Sequence, residues 1–141
     1  MSSILLDHRH NSLHWAYEYL GKPYIEGAEG PDAYDCWGLV RTICAKQIDC
    51  KMPLINIGRN DNAPAIAKAL RGWVKVNPPY KEYDVLTMKN AYGRHIGICI
   101  KANGRLMFLH AEVPHVQVSE LNRLNIFGYK EIQGWRYARE P

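Results

Sequence analysis

The second half of the chain alternates apolar and polar positions with a period of two, which predicts β-strands. The clearest run covers residues 95–100, the next covers 105–110, and shorter runs stand at 84–88, 116–118 and 132–137. Because short connections join most of these runs, we expect them to pair as a small, mainly antiparallel sheet.

The first half has apolar residues at helical spacing. Residues 8–20 form an amphipathic pattern that ends at Gly21 and Pro23, residue types that commonly follow a helix. A second helix is predicted from near Cys36 to residue 46 or 47, and a third from residue 63 or 64 to residue 70 or 71. Residues 72–79 are predicted to be a long connection. Helices first and strands afterwards predict an α+β fold, with N-terminal helices packed on the sheet.

Asn103-Gly104, between the two clearest strands, is a strong signal for a two-residue hairpin turn. Counting outward from that turn places Gly97 opposite His110, and His95 opposite Glu112. His95 and His110 are then diagonal neighbours on one face, with backbones roughly 7 to 8 Å apart. Gly97 is expected to leave empty space beside both rings.

Two imidazoles at that separation can hydrogen-bond, so that one acts as a base and the other fixes its tautomer. A hydrogen-bonded histidine in an apolar core is the alternative, and the residues alone leave both open. Cys36 supplies a candidate nucleophile, because it stands at a predicted helix start after the turn-rich segment 27–33. Unpaired N–H groups and the helix dipole favour a thiolate there, with a pKa of roughly 3.5 to 7.5 instead of about 8.5.

The 141 residues carry no repeat and no low-complexity segment, which indicates a single domain over residues 1–141. The net charge of +4 comes from scattered Lys and Arg residues and does not favour nucleic acid as a partner. No apolar run approaches the roughly 20 residues of a membrane helix. The run at residues 4–6 is too short for a signal peptide, so an exported role would need another route of delivery.

The four cysteines lack CxxC spacing, which predicts a reduced protein without a cysteine metal site, although a bridge from Cys50 stays open. His10 and His14 stand four residues apart on the first predicted helix and could hold a metal. Since no third ligand is evident, we expect a solvated helix face there instead. The site is thus expected to contain no metal and no organic cofactor.

The chain resembles the NlpC family of papain-like cysteine peptidases, which cut the stem peptides of peptidoglycan. The resemblance spans nearly the whole chain and rests on five motifs in the family's order: Leu20-Gly21-Lys22-Pro23-Tyr24, Asp35-Cys36-Trp37-Gly38-Leu39-Val40, Asp84-Val85-Leu86, His95-Ile96-Gly97-Ile98 and Leu109-His110-Ala111. The resemblance implies a papain-like α+β fold.

The same resemblance implies roles for five residues. Cys36 would be the nucleophile, His95 the general base, and His110 the polar residue that orients it. Tyr24 matches a tyrosine beside the cysteine that contributes to substrate binding and the oxyanion region. Asp35 matches an aspartate that can hold the free amine of the stem peptide, although a helix N-cap is the alternative and both roles can coexist.

Three positions depart from the family pattern. Trp37 replaces the usual serine after the cysteine, which predicts a narrower or differently shaped pocket for substrate. Tyr83 and Ala28 each replace a common glycine. The variant with Trp37, Trp73 and Pro78-Pro79 is similar to the versions found in bacteriophage tails.

These resemblances together imply a phage tail-associated endopeptidase that cleaves the bond between D-glutamate and the following diamino acid. Its expected partners are the peptidoglycan peptide and tail-tip proteins, and its expected location is the virion tail. The alternative is a catalytically silent structural or assembly component of a tail.

Overall fold

The computed structural model describes residues 5–7, 12–55 and 63–138. Within these residues the chain forms a six-stranded antiparallel sheet, a separate two-stranded sheet, and two α-helices. This arrangement confirms the predicted α+β class with a papain-like layout.

The helices and strands follow one another along the chain, with two short 3-10 helices at Trp15–Glu18 and Leu121–Arg123. The α-helices are α1 (Cys36–Ile48) and α2 (Ala63–Ala69). The strands are β1 (Leu6–Asp7), β2 (Ser12–Leu13), β3 (Trp73–Val76), β4 (Val85–Asn90), β5 (Gly93–Ala102), β6 (Arg105–Glu112), β7 (His115–Ser119) and β8 (Lys130–Tyr137). None of the helices within the described residues has the length and apolar character to cross a membrane.

The large sheet has the strand order β3-β8-β4-β5-β6-β7 and carries apolar clusters on both faces. Alternate side chains of β5, such as Ile96 and Ile98, are buried with α1 in the larger cluster. Cys99 is buried with Phe108 and Tyr129 in the smaller one. Because both faces of β5 are covered, its sequence is almost continuously apolar.

The predicted helices at residues 36 to 47 and 63 to 71 are confirmed by α1 and α2. The predicted helix over residues 8–20 is wrong in the part that is described. Residues 12–13 belong to β2, and the four residues of a 3-10 helix follow. Gly21 nevertheless has the positive φ, 80°, expected of a glycine that ends a helical turn.

His14 explains why that amphipathic pattern does not continue as a helix. Its Nδ1 accepts the N–H of Ala16 at 3.0 Å, and its Nε2 lies 2.9 Å from the carbonyl oxygen of Lys101. His14 is therefore buried against β5, and the expected solvated face is wrong at this residue. His10 lies outside the described residues.

The connection predicted over residues 72–79 contains a strand, β3, which pairs with β8. Only four residues long and half-exposed, β3 has no strong alternating pattern. Its pairing is decided by the distant partner β8, which a local pattern does not reveal.

The Asn103-Gly104 turn is confirmed, and both of its residues have positive φ, as a two-residue hairpin of this type requires. The predicted register holds from Ala102–Arg105 to Ile98–Leu109. The pairs expected beyond it, Gly97–His110 and His95–Glu112, are not part of the β5–β6 ladder, although the structure describes both strands throughout. The pairing stops where the start of α1 reaches the sheet.

Tyr83 occupies a position where the family usually has glycine. Its φ is 71°, in the left-handed region that glycine adopts without steric penalty. Its N–H donates to the carbonyl oxygen of Cys99 at 2.8 Å, which fixes the entry into β4. Tyr83 therefore holds a left-handed backbone conformation that glycine adopts more easily.

Asp84, from the family motif, has a structural role at the beginning of β4. Its buried carboxylate accepts hydrogen bonds from Arg136 Nε at 2.8 Å and Nη2 at 2.7 Å, and from the N–H of Lys81 at 2.7 Å. Because Arg136 belongs to β8, this bidentate ion pair connects the neighbouring strands β4 and β8.

We expect Arg136→Leu to lower the free energy of unfolding by about 3 kcal/mol, because it leaves the buried Asp84 carboxylate without its cation. Arg105→Leu is the matched control, since it breaks the exposed ion pair with Glu120 and should cost less than about 1 kcal/mol. Urea denaturation measures both losses. Equal losses in the two variants would show that the Asp84 pair does not stabilise the sheet.

Candidate active site

Asp35 fixes the start of α1. Its Oδ1 accepts the N–H of Gly38 at 2.6 Å, and its Oδ2 accepts the N–H of Gly27 at 3.0 Å. The expected N-cap is thus confirmed. Burial raises the pKa of the Asp35 carboxyl, and the two N–H groups oppose that rise. A methyl group at Gly38 would lie 2.4 Å from the carbonyl oxygen of Ala28, so only glycine permits this close approach.

Cys36 is the first residue of α1, as predicted, and its side chain is buried. The low pKa expected for it is wrong. Burial, with a smaller contribution from the Asp35 carboxylate, raises the pKa of the Cys36 thiol to about 12, and the backbone N–H groups of Ile96, Trp37 and Cys36 lower it only in part. In the resting protein Cys36 is therefore a neutral thiol. All four cysteines of the chain are free and buried.

The sulfur of Cys36 lies at the point where β5 and β6 stop pairing. The N–H of Cys99 donates to the carbonyl oxygen of Asp84, towards β4. Because N–H groups alternate in direction along a strand, the N–H of Ile96 points the other way, towards β6. The β5–β6 ladder ends at Ile98–Leu109, so this N–H is available to the sulfur, with which it forms a hydrogen bond.

His95 and His110 extend from β5 and β6 beside this gap. His95 Nε2 and His110 Nδ1 are 2.8 Å apart, which confirms the hydrogen bond expected between the rings. His110 Nε2 lies 2.8 Å from Ser119 Oγ on β7. Burial lowers the pKa of His110 to about 4 and also lowers the pKa of His95, so both rings are neutral at physiological pH.

Gly97 does not leave empty space beside the two rings, which corrects the expectation from the sequence. A methyl group on Gly97 would lie 2.2 Å from Phe108 Cζ, so the Phe108 ring fills that space. This ring also packs against both imidazoles, with centroid distances of 6.4 Å to His95 and 4.8 Å to His110. The absence of a side chain at Gly97 thus allows the Phe108 ring to pack against His95 and His110.

Two further residues at the site were not singled out from the sequence. The ring of Tyr129 stacks on His95, with centroids 4.9 Å apart and planes at 19°. Its hydroxyl donates to Glu112 Oε2, which is itself 3.4 Å from His110 Nδ1. Strand alternation places Glu112 on the face of His110 and could have identified it. Tyr129 follows an irregular segment, for which no local pattern gives a position.

His95, His110 and Glu112 are the group in the described part of the chain whose donor atoms converge as metal ligands would, all within 4.8 Å of one another. The two ring nitrogens are 2.8 Å apart. Two ligands of one tetrahedral zinc ion, with bonds of roughly 2.0 to 2.1 Å, stand about 3.3 Å apart. The shorter separation is that of a hydrogen bond, so the cluster fits proton transfer better than metal binding.

A cavity of about 280 Å³ opens beside the start of α1, and its lining comprises Gly27, Glu29, Asp35, Trp37, Gly38, Leu54 and Ile55. The indole of Trp37 is buried and donates from Nε1 to the carbonyl oxygen of Pro53 at 2.7 Å. Trp37 therefore forms one wall of this cavity and does not fill it.

Tyr24 is half-buried in the extended segment that precedes α1. It forms an isolated parallel bridge with Tyr34, and its N–H donates to the carbonyl oxygen of Pro114 at 3.0 Å. Its ring packs against the apolar cluster that contains Cys36. These contacts hold Tyr24 between the approach to α1 and the β6–β7 turn.

A cysteine at the start of a helix, packed on an antiparallel sheet with two hydrogen-bonded histidines on adjacent strands, defines the papain-like class of cysteine peptidases. The family model described as NlpC/P60 family matches residues 21–130. Since the match covers well over half of the chain, this protein belongs to the NlpC/P60 family. Members of the family are cysteine peptidases that act on peptidoglycan. No curated protein matches the chain.

The low pKa of His110 predicts that acid destabilises the fold. Between pH 6.5 and about 4 the unfolded chain binds a proton at this residue that the folded chain does not bind. The stabilisation is thus complete above pH 6.5, and it falls by about 1.4 kcal/mol per pH unit across this window.

Urea denaturation of His110→Gln across that window measures the effect. The slope of the free energy of unfolding against pH should be smaller by about 1.4 kcal/mol per pH unit, which corresponds to one bound proton. His115→Gln is the matched control, because it makes the same replacement at an exposed histidine. Identical slopes in wild type and His110→Gln would contradict the burial of a neutral imidazole.

Proposed function

We propose that this chain is a cysteine endopeptidase that hydrolyses peptidoglycan stem peptides through Cys36, at the bond between D-glutamate and the following diamino acid. Family membership supports the substrate class. The observation that carries the proposal is the hydrogen bond that the Cys36 sulfur accepts from the N–H of Ile96, the residue that follows His95 in β5.

The hydrogen bond between the rings determines which nitrogen of His95 is free to act as base. With Nε2 occupied by His110 Nδ1, Nδ1 is the atom left to take a proton from the Cys36 thiol. That assignment requires a proton on His95 Nε2 and another on His110 Nε2, which then donates to Ser119 Oγ. His110 thus keeps His95 in the tautomer that a general base needs.

In the proposed reaction the thiol proton moves to His95 Nδ1 as the sulfur attacks the scissile carbonyl carbon. His95 then transfers this proton to the leaving amine, and the amide C–N bond breaks to give a thioester on Cys36. Water, deprotonated by His95, releases the acyl product and restores the thiol. No metal or organic cofactor is needed for these steps.

The oxyanion that forms during attack needs hydrogen-bond donors that are already in place. The N–H groups of Cys36 and Trp37 face the sulfur at the start of α1 and are the proposed donors. Tyr24 is proposed to assist them and to contact the substrate, as the corresponding tyrosine does in the family.

The proposed subsite for the free amine of the stem peptide is the cavity beside Asp35. The carboxylates of Asp35 and Glu29 give its polar lining, and Trp37 with Leu54 gives its apolar wall. An ammonium group fits such a lining by charge. The wall formed by Trp37 is expected to make the substrate preference differ from that of family members with serine at this position.

We further propose that the protein acts in the tail of a bacteriophage particle, in contact with tail-tip proteins, where it opens the cell wall during entry. The support is the likeness of the Asp35–Val40 motif, with Trp37, to tail-associated versions of the family. A catalytically silent tail component with the same fold is the competing function, and the burial of the neutral Cys36 thiol is the observation that favours it.

Digestion of purified peptidoglycan, followed by mass spectrometry of the released fragments, tests the proposed activity. We expect wild type to release fragments with a new D-glutamate end and Cys36→Ala to release none, because removing the nucleophile removes the covalent step. Cys44→Ala is the matched control, since this buried thiol lies on α1 away from the site and its variant should still cleave.

Release of the same fragments by Cys36→Ala would refute the role of Cys36. An inactive wild type with a folded site would favour the silent tail component. Acylation of Cys36 by a substrate-like thioester, with loss of its thiol and without fragment release, would instead indicate acyl transfer on a different substrate.

A further inference from the structure

The base of the proposed reaction must carry a positive charge inside the protein. When His95 takes the proton of Cys36 it becomes an imidazolium, and its ring is almost completely buried. Its hydrogen-bond partner His110 is also buried and neutral, and so cannot balance that charge. A buried cation without a counter-charge is unfavourable. The imidazolium needs a negative charge nearby. Among Cys36, His95 and His110, the thiolate of Cys36 is the negative charge, and it is consumed in the attack.

Glu112 brings a carboxylate to this pair from the same strand as His110. Its Oε2 is 3.4 Å from His110 Nδ1, and one of its carboxylate oxygens lies within 4.8 Å of a ring nitrogen of His95. The carboxylate is half-exposed, and its position is held by the hydroxyl of Tyr129. The ring of Tyr129 in turn stacks on His95. The side chain of Tyr129 thus contacts both the His95 ring and the Glu112 carboxylate.

From this geometry we infer that Glu112 is the counter-ion of the His95 imidazolium that forms during catalysis, and that Tyr129 positions it. This inference rests on the proposed function of Cys36 and His95. Glu112 acts through His95 and Tyr129 acts through Glu112, so both are positioning residues. Glu112 and Tyr129 stabilise the imidazolium only after the proton has moved to His95. They therefore stabilise the transition state and not the resting protein.

The groups that face the His95 ring decide how its protonation responds to substitution. They are His110 and Glu112 from β6, and Tyr129 from the segment before β8. The Cys36 thiol of α1 acts on Tyr129. Burial raises the pKa of the Tyr129 hydroxyl, which keeps it a proton donor to Glu112 throughout the physiological range. Among these groups, Glu112 supplies the negative charge that is present in the resting protein.

Glu112→Gln tests the charge alone, because its amide oxygen still accepts the Tyr129 hydroxyl. We expect kcat on isolated stem peptides to fall about tenfold, the effect of one pKa unit, with KM unchanged. The acidic limb of the kcat/KM profile should move to lower pH, because His95 without the carboxylate holds a proton less tightly. Glu18→Gln, which removes an exposed carboxylate paired with Lys46, is the matched control and should change neither quantity.

Tyr129→Phe keeps the stacked ring and removes only the hydroxyl. It should lower kcat in the wild-type background and have no further effect in Glu112→Gln, since the hydroxyl acts through the carboxylate. Thermal unfolding of each variant, and titration of the fraction with a reactive Cys36, correct for any loss of folded protein. Equal losses from Tyr129→Phe in both backgrounds would overturn the positioning role.

The rate of Cys36 alkylation by iodoacetamide separates this inference from the proposed function, because it needs no substrate. Glu112→Gln should slow alkylation about tenfold at neutral pH, since the thiolate–imidazolium pair becomes less populated. Slower alkylation with no peptide cleavage by wild type would support the counter-ion and refute the peptidase. Cleavage by wild type, with kcat, pH profile and alkylation unchanged in Glu112→Gln, would refute the counter-ion and leave the peptidase standing.

Discussion

The hydrogen bond of 2.8 Å between His95 Nε2 and His110 Nδ1 joins two strands at the point where their backbone pairing ends. It replaces the ladder bonds that β5 and β6 no longer make there, and it leaves the N–H of Ile96 for the sulfur of Cys36. The same bond commits one nitrogen of His95 and frees the other. This one contact between two side chains therefore sets the tautomer of His95 at the place where the Cys36 sulfur ends the strand pairing.

Burial sets the protonation states of this site. It raises the pKa of the Cys36 thiol and lowers the pKa of both imidazoles, so the resting site is uncharged apart from the carboxylates at its edge. A neutral pair is stable in a dry interior, whereas an ion pair there needs support from neighbouring groups. Cys36 and His95 are thus uncharged until attack begins. The surrounding side chains must then stabilise the charges that form when the proton moves from Cys36 to His95.

Local sequence signals were sufficient for the elements that carry the site, and insufficient wherever a distant contact decides the outcome. The Asn103-Gly104 turn fixed the register of β5 and β6 and brought His95 to His110. The same counting failed beyond Ile98, because the intruding sulfur comes from a helix sixty residues earlier in the chain. The pKa of Cys36 was predicted in the wrong direction for a similar reason. Its helix start is visible in the sequence, but its burial depends on the packed sheet.

The most direct test of this account is the protonation of His95 in the resting protein, measured by nitrogen-15 NMR of the ring nitrogens at neutral pH. We expect a neutral imidazole with a proton on Nε2 and a bare Nδ1, the state that can accept the proton of Cys36. A resting imidazolium, or a neutral ring with its proton on Nδ1, would contradict the account.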